Sequence, residues 1–210
     1  MHFLTLRDRR ICFLGESFIN GTGDPDCLGW TGRICAMAQQ SKHGSTHYNL
    51  TYYNLGIRRE TSAELCQRWQ AEVELRLPRG CDGRLVFSFG TNDASWENGK
   101  TRVALADSVR YAQSILTEAK RQYPVLMVSP PPIADPEHND RTWALIEQWQ
   151  SLCESLAIPF LDVFTPLQQH EPWLEEVRTF DGAHPRAQGY AYWAQLVADW
   201  SAWQRWWGAS

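Results

Sequence analysis

Four short polar stretches carry the residue types of nucleophilic catalysis: Gly15-Glu16-Ser17, Asn54-Leu55-Gly56, Gly90-Thr91-Asn92-Asp93 and Asp181-Gly182-Ala183-His184. A serine hydroxyl attacks only when a base takes its proton, and a neutral imidazole is the usual base, so Ser17 and His184 are the candidate nucleophile and base. The base needs an acceptor for its far nitrogen. Asp181 precedes His184 closely enough for a turn to bring its carboxylate to Nδ1, where it would orient the ring and stabilise the imidazolium. Attack on a carbonyl also creates an oxyanion, for which the backbone N–H groups of Ser17 and Gly56 and the side-chain amide of Asn92 are candidate donors. Glycine at 56 permits close backbone approach.

Such residues must be placed by a scaffold, and the chain alternates strand-like and helical patterns throughout. Strands are expected at Arg10 to Leu14, Asn49 to Leu55, Arg84 to Phe89, Val125 to Ser129 and Ile158 to Val163. Between them, Trp30 to Gln40, Thr61 to Leu77, Thr101 to Gln122 and Arg141 to Leu156 space their apolar residues for crossover helices. A last helix is expected from about Pro185 to Trp206. With no repeat or Gly/Ser-rich linker, the economical reading is one doubly wound α/β domain over residues 1–210. Open parallel sheets present working residues at the carboxyl ends of their strands, so the four polar stretches should meet on one rim.

Composition narrows the partners. The 210 residues carry 20 Lys and Arg against 24 Asp and Glu, a net charge of −4 and no basic footprint for nucleic acid. Charges at Arg7, Asp8, Arg9 and Arg10 interrupt the first apolar run before an export signal or membrane span could form, so no integral membrane segment and a cytoplasmic location are expected. The six cysteines contain no C-x-x-C pair and read as reduced thiols, several of them buried. The sequons at Asn20 and Asn49 read as coincidence in a chain that shows no export signal.

The set Gly15-Glu16-Ser17-Phe18 with Gly21 downstream, Gly56, Gly90-Thr91-Asn92-Asp93 and Asp181-x-x-His184 resembles, in order, the four blocks of the GDSL, or SGNH, hydrolase family. The resemblance spans residues 13 to 186. It implies a three-layer, flavodoxin-like α/β/α sandwich with a mostly parallel five-stranded sheet. It further implies a serine esterase or lipase that hydrolyses carboxylic esters through an acyl-serine, without metal or cofactor, with thioesterase and acyltransferase variants sharing the mechanism. The implied roles are Ser17 as nucleophile, His184 as base, Asp181 as third member, and Ser17, Gly56 and Asn92 as oxyanion donors. One departure is visible: the family usually has Asp before the serine, and here the residue is Glu16. The lipase-type G-x-S-x-G elbow is absent around every serine.

Other features have plainer readings. Taken singly, Ser17 would read as a helix cap and Asn92-Asp93 as turn formers. Asp93 keeps that reading, and His2, His43, His47, His138 and His170 read as surface or satisfied core residues. Arg58 and Arg59 read as solvated, and the Gly99 to Thr101 stretch lacks the first glycine of a phosphate loop. Trp96, Pro131 and Ile133 lie in loops flanking the rim, where a substrate channel or ordinary packing would explain them equally. Trp193, Trp200 and Trp207 recur every seven residues, and Trp206 and Trp207 would exceed what the core hides, leaving a homodimer patch or membrane-surface contact open. Two rivals to the esterase are a flavodoxin-like module whose first loop cradles a phosphate or flavin, and a hydrolase-like chain kept as a non-catalytic acyl binder.

Overall fold

The computed structural model describes residues 7–41 and 48–207. Five strands, β1 (Arg7–Gly15), β2 (Tyr48–Gly56), β3 (Asp82–Ser88), β6 (Val125–Val128) and β7 (Phe160–Leu161), form one sheet in the order β2-β1-β3-β6-β7. Every pairing in that sheet is parallel. Between β3 and β6 the two short strands β4 (Trp96–Glu97) and β5 (Lys100–Thr101) make an antiparallel hairpin.

The pleat explains the layers. Successive side chains of β1 point to opposite faces: Ile11 and Phe13 enter one apolar cluster, Cys12 and Leu14 the other. The first face is covered by α2 (Gly29–Gln40), α8 (Ala187–Asp199) and α9 (Ser201–Arg205), where Trp30 and Trp193 stack at 5.2 Å. The second is covered by α3 (Ser62–Glu74), α4 (Leu105–Gln122) and α5 (Pro136–Ser155), through Trp69, Ile115, Leu116 and Trp149. Both faces of the central strands are therefore buried, the condition under which an all-parallel sheet is stable. This is the flavodoxin-like α/β/α sandwich.

Local chemistry sets several helix boundaries. Thr61 and Glu64 form a reciprocal capping box that starts α3, and Asp135 followed by Pro136 starts α5. The expected elements are present; β7 is shorter than the expected Ile158 to Val163 and α5 starts ahead of the expected Arg141, and three larger differences stand out. Lys100 and Thr101 belong to the hairpin, so α4 begins at Leu105. Short helices α1 (Ser17–Asn20), α6 (Phe164–Gln168) and α7 (Glu171–Thr179) occupy stretches whose few residues leave little periodicity to read.

The third difference corrects the last helix. It is not continuous from Pro185 to Trp206: Trp200 is extended at φ −73° and ψ 120°, which ends α8 and turns the chain into α9. The bend folds Trp203, Trp206 and Trp207 back onto the core, and Trp206 and Trp207 are only 7% and 6% exposed. Arg9 anchors this corner by binding Asp82 and the Trp206 carbonyl while its guanidinium lies 3.5 Å from the Tyr48 ring centre. The surplus apolar surface on which the dimer and membrane-contact expectations rested is thus packed inside. Among the described residues no helix is long and apolar enough to cross a membrane.

All six cysteines are free, with Cys12, Cys35 and Cys153 buried; burial pushes the thiols of Cys12 and Cys153 up to about 12. His2, His43 and His47 lie outside the described residues. His170 caps α7 by accepting from the Trp173 N–H and stacks on Tyr192.

Candidate active site

Sheet register explains how distant residues meet. Gly15, at the end of β1, pairs with Gly56 at the end of β2 and with Ser88 at the end of β3, so three of the polar stretches leave the sheet at one level. Two glycines make the approach possible. A Cβ at Gly15 would sit 1.8 Å from the Ser88 carbonyl oxygen, and one at Gly56 would sit 2.3 Å from the Asn20 nitrogen and 2.6 Å from the Glu16 oxygen. Any larger residue would push the Ser17 turn away from its neighbours.

Ser17 opens α1 at that rim and is 6% exposed. His184 reaches it from across the chain, its Nε2 2.7 Å from Ser17 Oγ, while its Nδ1 lies 2.7 Å from Asp181 Oδ2. The partners fix the tautomer: Nδ1 faces a carboxylate and carries the hydrogen, which leaves Nε2 to accept from the serine hydroxyl. Burial alone would raise the Asp181 pKa, but the N–H groups of His184 and Ala183 and the His184 ring donate to its carboxylate and hold it below the usual range. Asp181 stays ionised at neutral pH.

The ring is positioned by packing as well as by charge. Phe18 lies 4.8 Å from the His184 ring centre and is itself packed against Trp173 and Trp193. Glu176 on α7 accepts from the N–H groups of Arg186, Gln188 and Gly189, capping α8 and fixing the chain that follows His184. On the opposite side, Tyr190 donates to the Thr22 carbonyl, and Asp24 accepts from the Leu28 and Gly29 N–H groups and pairs with Arg33. These restraints hold the loop that follows α1 against the His184 loop.

The expected oxyanion donors lie on the same rim, and two of them already have partners. The Gly56 N–H donates to Asn54 Oδ1 at 3.1 Å. Asn92 Nδ2 donates to Glu16 Oε2 at 2.6 Å and to the Glu60 carbonyl at 3.0 Å. The Ser17 N–H sits in the first turn of a helix, where no intrahelical acceptor exists.

Glu16 is 1% exposed and also accepts from the backbone N–H groups of Thr91 and Asn92. Its pKa is pushed up to about 7, chiefly by burial and further by the charge of Asp93, while those hydrogen bonds oppose the rise. Asp93 is more than the expected turn former. Fully buried, it accepts from the Ser62 N–H and the Ser108 hydroxyl and so ties the loop to α3 and α4. His138 is a satisfied core histidine whose ring contacts the Thr91 carbonyl at 2.8 Å and the Thr142 hydroxyl at 3.2 Å. Asn54 is legible in sequence only as part of its polar stretch, and Glu60 and Glu176 carry no sequence signal, because each acts through a contact set by the fold.

The flanking loops are braced. Asn139 holds the Ile133 backbone, and the Ala134 N–H donates to the Gly182 carbonyl beside the Asp181 turn. Arg59 is exposed as expected and pairs with Glu97 on the hairpin, which also carries the exposed Trp96. Among the described residues no three His, Cys, Asp or Glu side chains gather as a metal site.

The sequence matches the GDSL-like lipase/acylhydrolase family over residues 13–192, a span that contains all four polar stretches. The chain belongs to the GDSL-like lipase/acylhydrolase family. As a member of that family it is a hydrolase acting on ester bonds. Solved structures share the GDSL fold at low sequence identity. A lipase/acylhydrolase from Enterococcus faecalis is 21% identical with a TM-score of 0.71, the match covering 90% of this chain and 93% of that one. A putative lipolytic protein of the G-D-S-L family from Desulfitobacterium hafniense is 19% identical with a TM-score of 0.72, over 90% and 97%. A catalytic mutant of an acetylxylan esterase from Geobacillus stearothermophilus is 16% identical with a TM-score of 0.73, over 99% and 98%. No curated protein sequence matches this GDSL-family chain.

Proposed function

We propose that this GDSL-family hydrolase is a serine esterase that cleaves carboxylic esters through an acyl-serine intermediate. The observation that carries the reading is the continuous relay from Ser17 Oγ through both nitrogens of His184 to Asp181, each contact at 2.7 Å. Ser17 Oγ attacks the ester carbonyl carbon as its proton passes to His184 Nε2. The tetrahedral intermediate places its negative oxygen toward the donors at Ser17, Gly56 and Asn92, then collapses; His184 gives its proton to the departing alcohol. A water molecule, deprotonated by His184, then attacks the acyl carbon, and the acid leaves as the Ser17 hydroxyl is restored. Asp181 remains ionised throughout and stabilises the transient imidazolium.

The test pairs fluorophosphonate labelling with turnover of p-nitrophenyl esters of increasing chain length, beside acetylated sugars and acyl-CoA. Labelling that disappears in Ser17→Ala, with turnover reduced by several orders of magnitude and an unchanged fold, is the expected result. Undiminished turnover in that variant refutes the nucleophile, and a wild-type protein that neither labels nor turns over any ester is an acyl binder instead.

A further inference from the structure

The relay of Ser17, His184 and Asp181 makes no use of Glu16, yet this side chain is a buried carboxyl next to the nucleophile, with its hydrogen bonds directed at the Asn92 loop. One oxygen, Oε1, accepts from the Thr91 N–H at 3.0 Å; the other, Oε2, accepts from the Asn92 N–H at 3.1 Å and from Asn92 Nδ2 at 2.6 Å. One carboxyl thus grips both the backbone and the side chain of the residue expected to donate to the oxyanion. His138 holds the same peptide from the far side, through the Thr91 carbonyl.

The donor count of an amide makes this grip consequential. An Asn side chain has two N–H hydrogens, and both neighbours of Asn92 Nδ2, the Glu16 carboxyl and the Glu60 carbonyl, are acceptors. Both hydrogens are therefore committed, and the amide is oriented with its nitrogen toward Glu16. To donate to a substrate oxygen, Asn92 must release or share one of them. The longer bond, at 3.0 Å, goes to the neutral Glu60 carbonyl; the shorter, at 2.6 Å, goes to Glu16. A hydrogen bond to a carboxyl is the stronger of the two when that group is ionised.

We infer that Glu16 is a positioning residue for ester cleavage, holding the Asn92 amide by its shorter bond while Asn92 exchanges the Glu60 carbonyl for the developing oxyanion. The inference rests on the acyl-serine reading above. Glu16 touches neither the substrate nor the nucleophile in this scheme; it acts through Asn92, and its loss leaves the amide free to rotate away from the reacting carbon.

A double-mutant cycle tests it, with kcat and KM measured on a short p-nitrophenyl ester for Glu16→Met, Asn92→Ala and the pair. Met matches the length of Glu but offers no oxygen to the Asn92 donors, so the grip on Asn92 fails while the cavity stays filled. Asn92→Ala should lower kcat by about 10²–10³-fold, the usual cost of one oxyanion donor. Glu16→Met should lower kcat at least about tenfold with KM changed by less than about threefold, because the lost interaction acts in the transition state. The pair should be no slower than Asn92→Ala alone, since a positioning residue has nothing left to position. Folded Glu16→Met with wild-type kcat overturns the inference, as do losses that multiply in the pair. Should Glu16→Met not fold, Glu16→Leu, which also lacks an acceptor, replaces it in the cycle under the same criteria. Ser17→Ala, assayed alongside, separates the two claims: if it alone loses turnover, only the role of Glu16 falls, and if it keeps turnover the acyl-serine reading falls with it.

Discussion

Replacing Asp181 with Asn probes the relay at the point where charge and tautomer can be separated from shape. Asp181 Oδ1 accepts from two backbone N–H groups, those of His184 at 2.7 Å and Ala183 at 3.0 Å, while Oδ2 accepts from His184 Nδ1 at 2.7 Å. An Asn oxygen must stay at the Oδ1 position, because an NH₂ there would face two donors. The NH₂ then occupies the Oδ2 position and donates to Nδ1, which drives the ring hydrogen to Nε2 and removes the acceptor that Ser17 needs. A wrong tautomer of this kind lowers kcat by about 10⁴-fold in serine hydrolysis, or about 5.5 kcal/mol of barrier. The fold should barely register the change. Two of the three hydrogen bonds survive, and the third is reversed and loses its charge on a side chain that is 36% exposed, so after solvent screening the change costs about 1 kcal/mol. That corresponds to a Tm decrease of about 2–4 °C in a chain of this size. Initial rates on a p-nitrophenyl ester and a thermal melt of the same preparation check both numbers. A kcat within about tenfold of wild type would refute the assigned tautomer and with it the role of Asp181.

Other outcomes follow from single contacts. Glu16 holds its proton to about pH 7 in the native state but ionises near pH 4.3 when unfolded, so its contribution is fully present below pH 4.3 and is lost as pH rises through 7. Denaturant titrations should show Glu16→Gln losing that slope, worth on the order of 3 kcal/mol, and an unchanged pH dependence would refute the assignment. Asp181 has the opposite sign: its lowered pKa stabilises the fold above about pH 4, and the benefit disappears as pH falls through the native value, which acid-unfolding curves of wild type and Asp181→Asn would resolve. Gly56→Ala places a Cβ 2.3 Å from backbone nitrogen and should cost more than about tenfold in kcat together with stability, measured by turnover and melting. Glu176→Gln turns an NH₂ toward at least one of three helix N–H groups and should cost about 1–2 kcal/mol, read as a lower Tm, with turnover reduced through the displaced His184 loop.

The sequence by itself carried the alternation of apolar strands and amphipathic segments, and with it the parallel sheet, because those patterns are local and repeat along the chain. It also carried Ser17, Gly56, Asn92, Asp181 and His184, since each stretch abuts a strand end or the last helix. Their meeting at one rim follows from parallel connectivity. What it could not carry were contacts between residues far apart in sequence whose types have many uses. Glu16 and Asn92 are 76 positions apart, and only the register of β1 against β3 brings that carboxyl under the amide. The same limit hid the break at Trp200: tryptophans every seven residues suit a continuous helix, and packing of the final turns onto Arg9 and Tyr48 decided otherwise. Local pattern specifies which face of an element is apolar, whereas which polar groups pair at its ends depends on where neighbouring elements stop, a property of the assembled sheet alone.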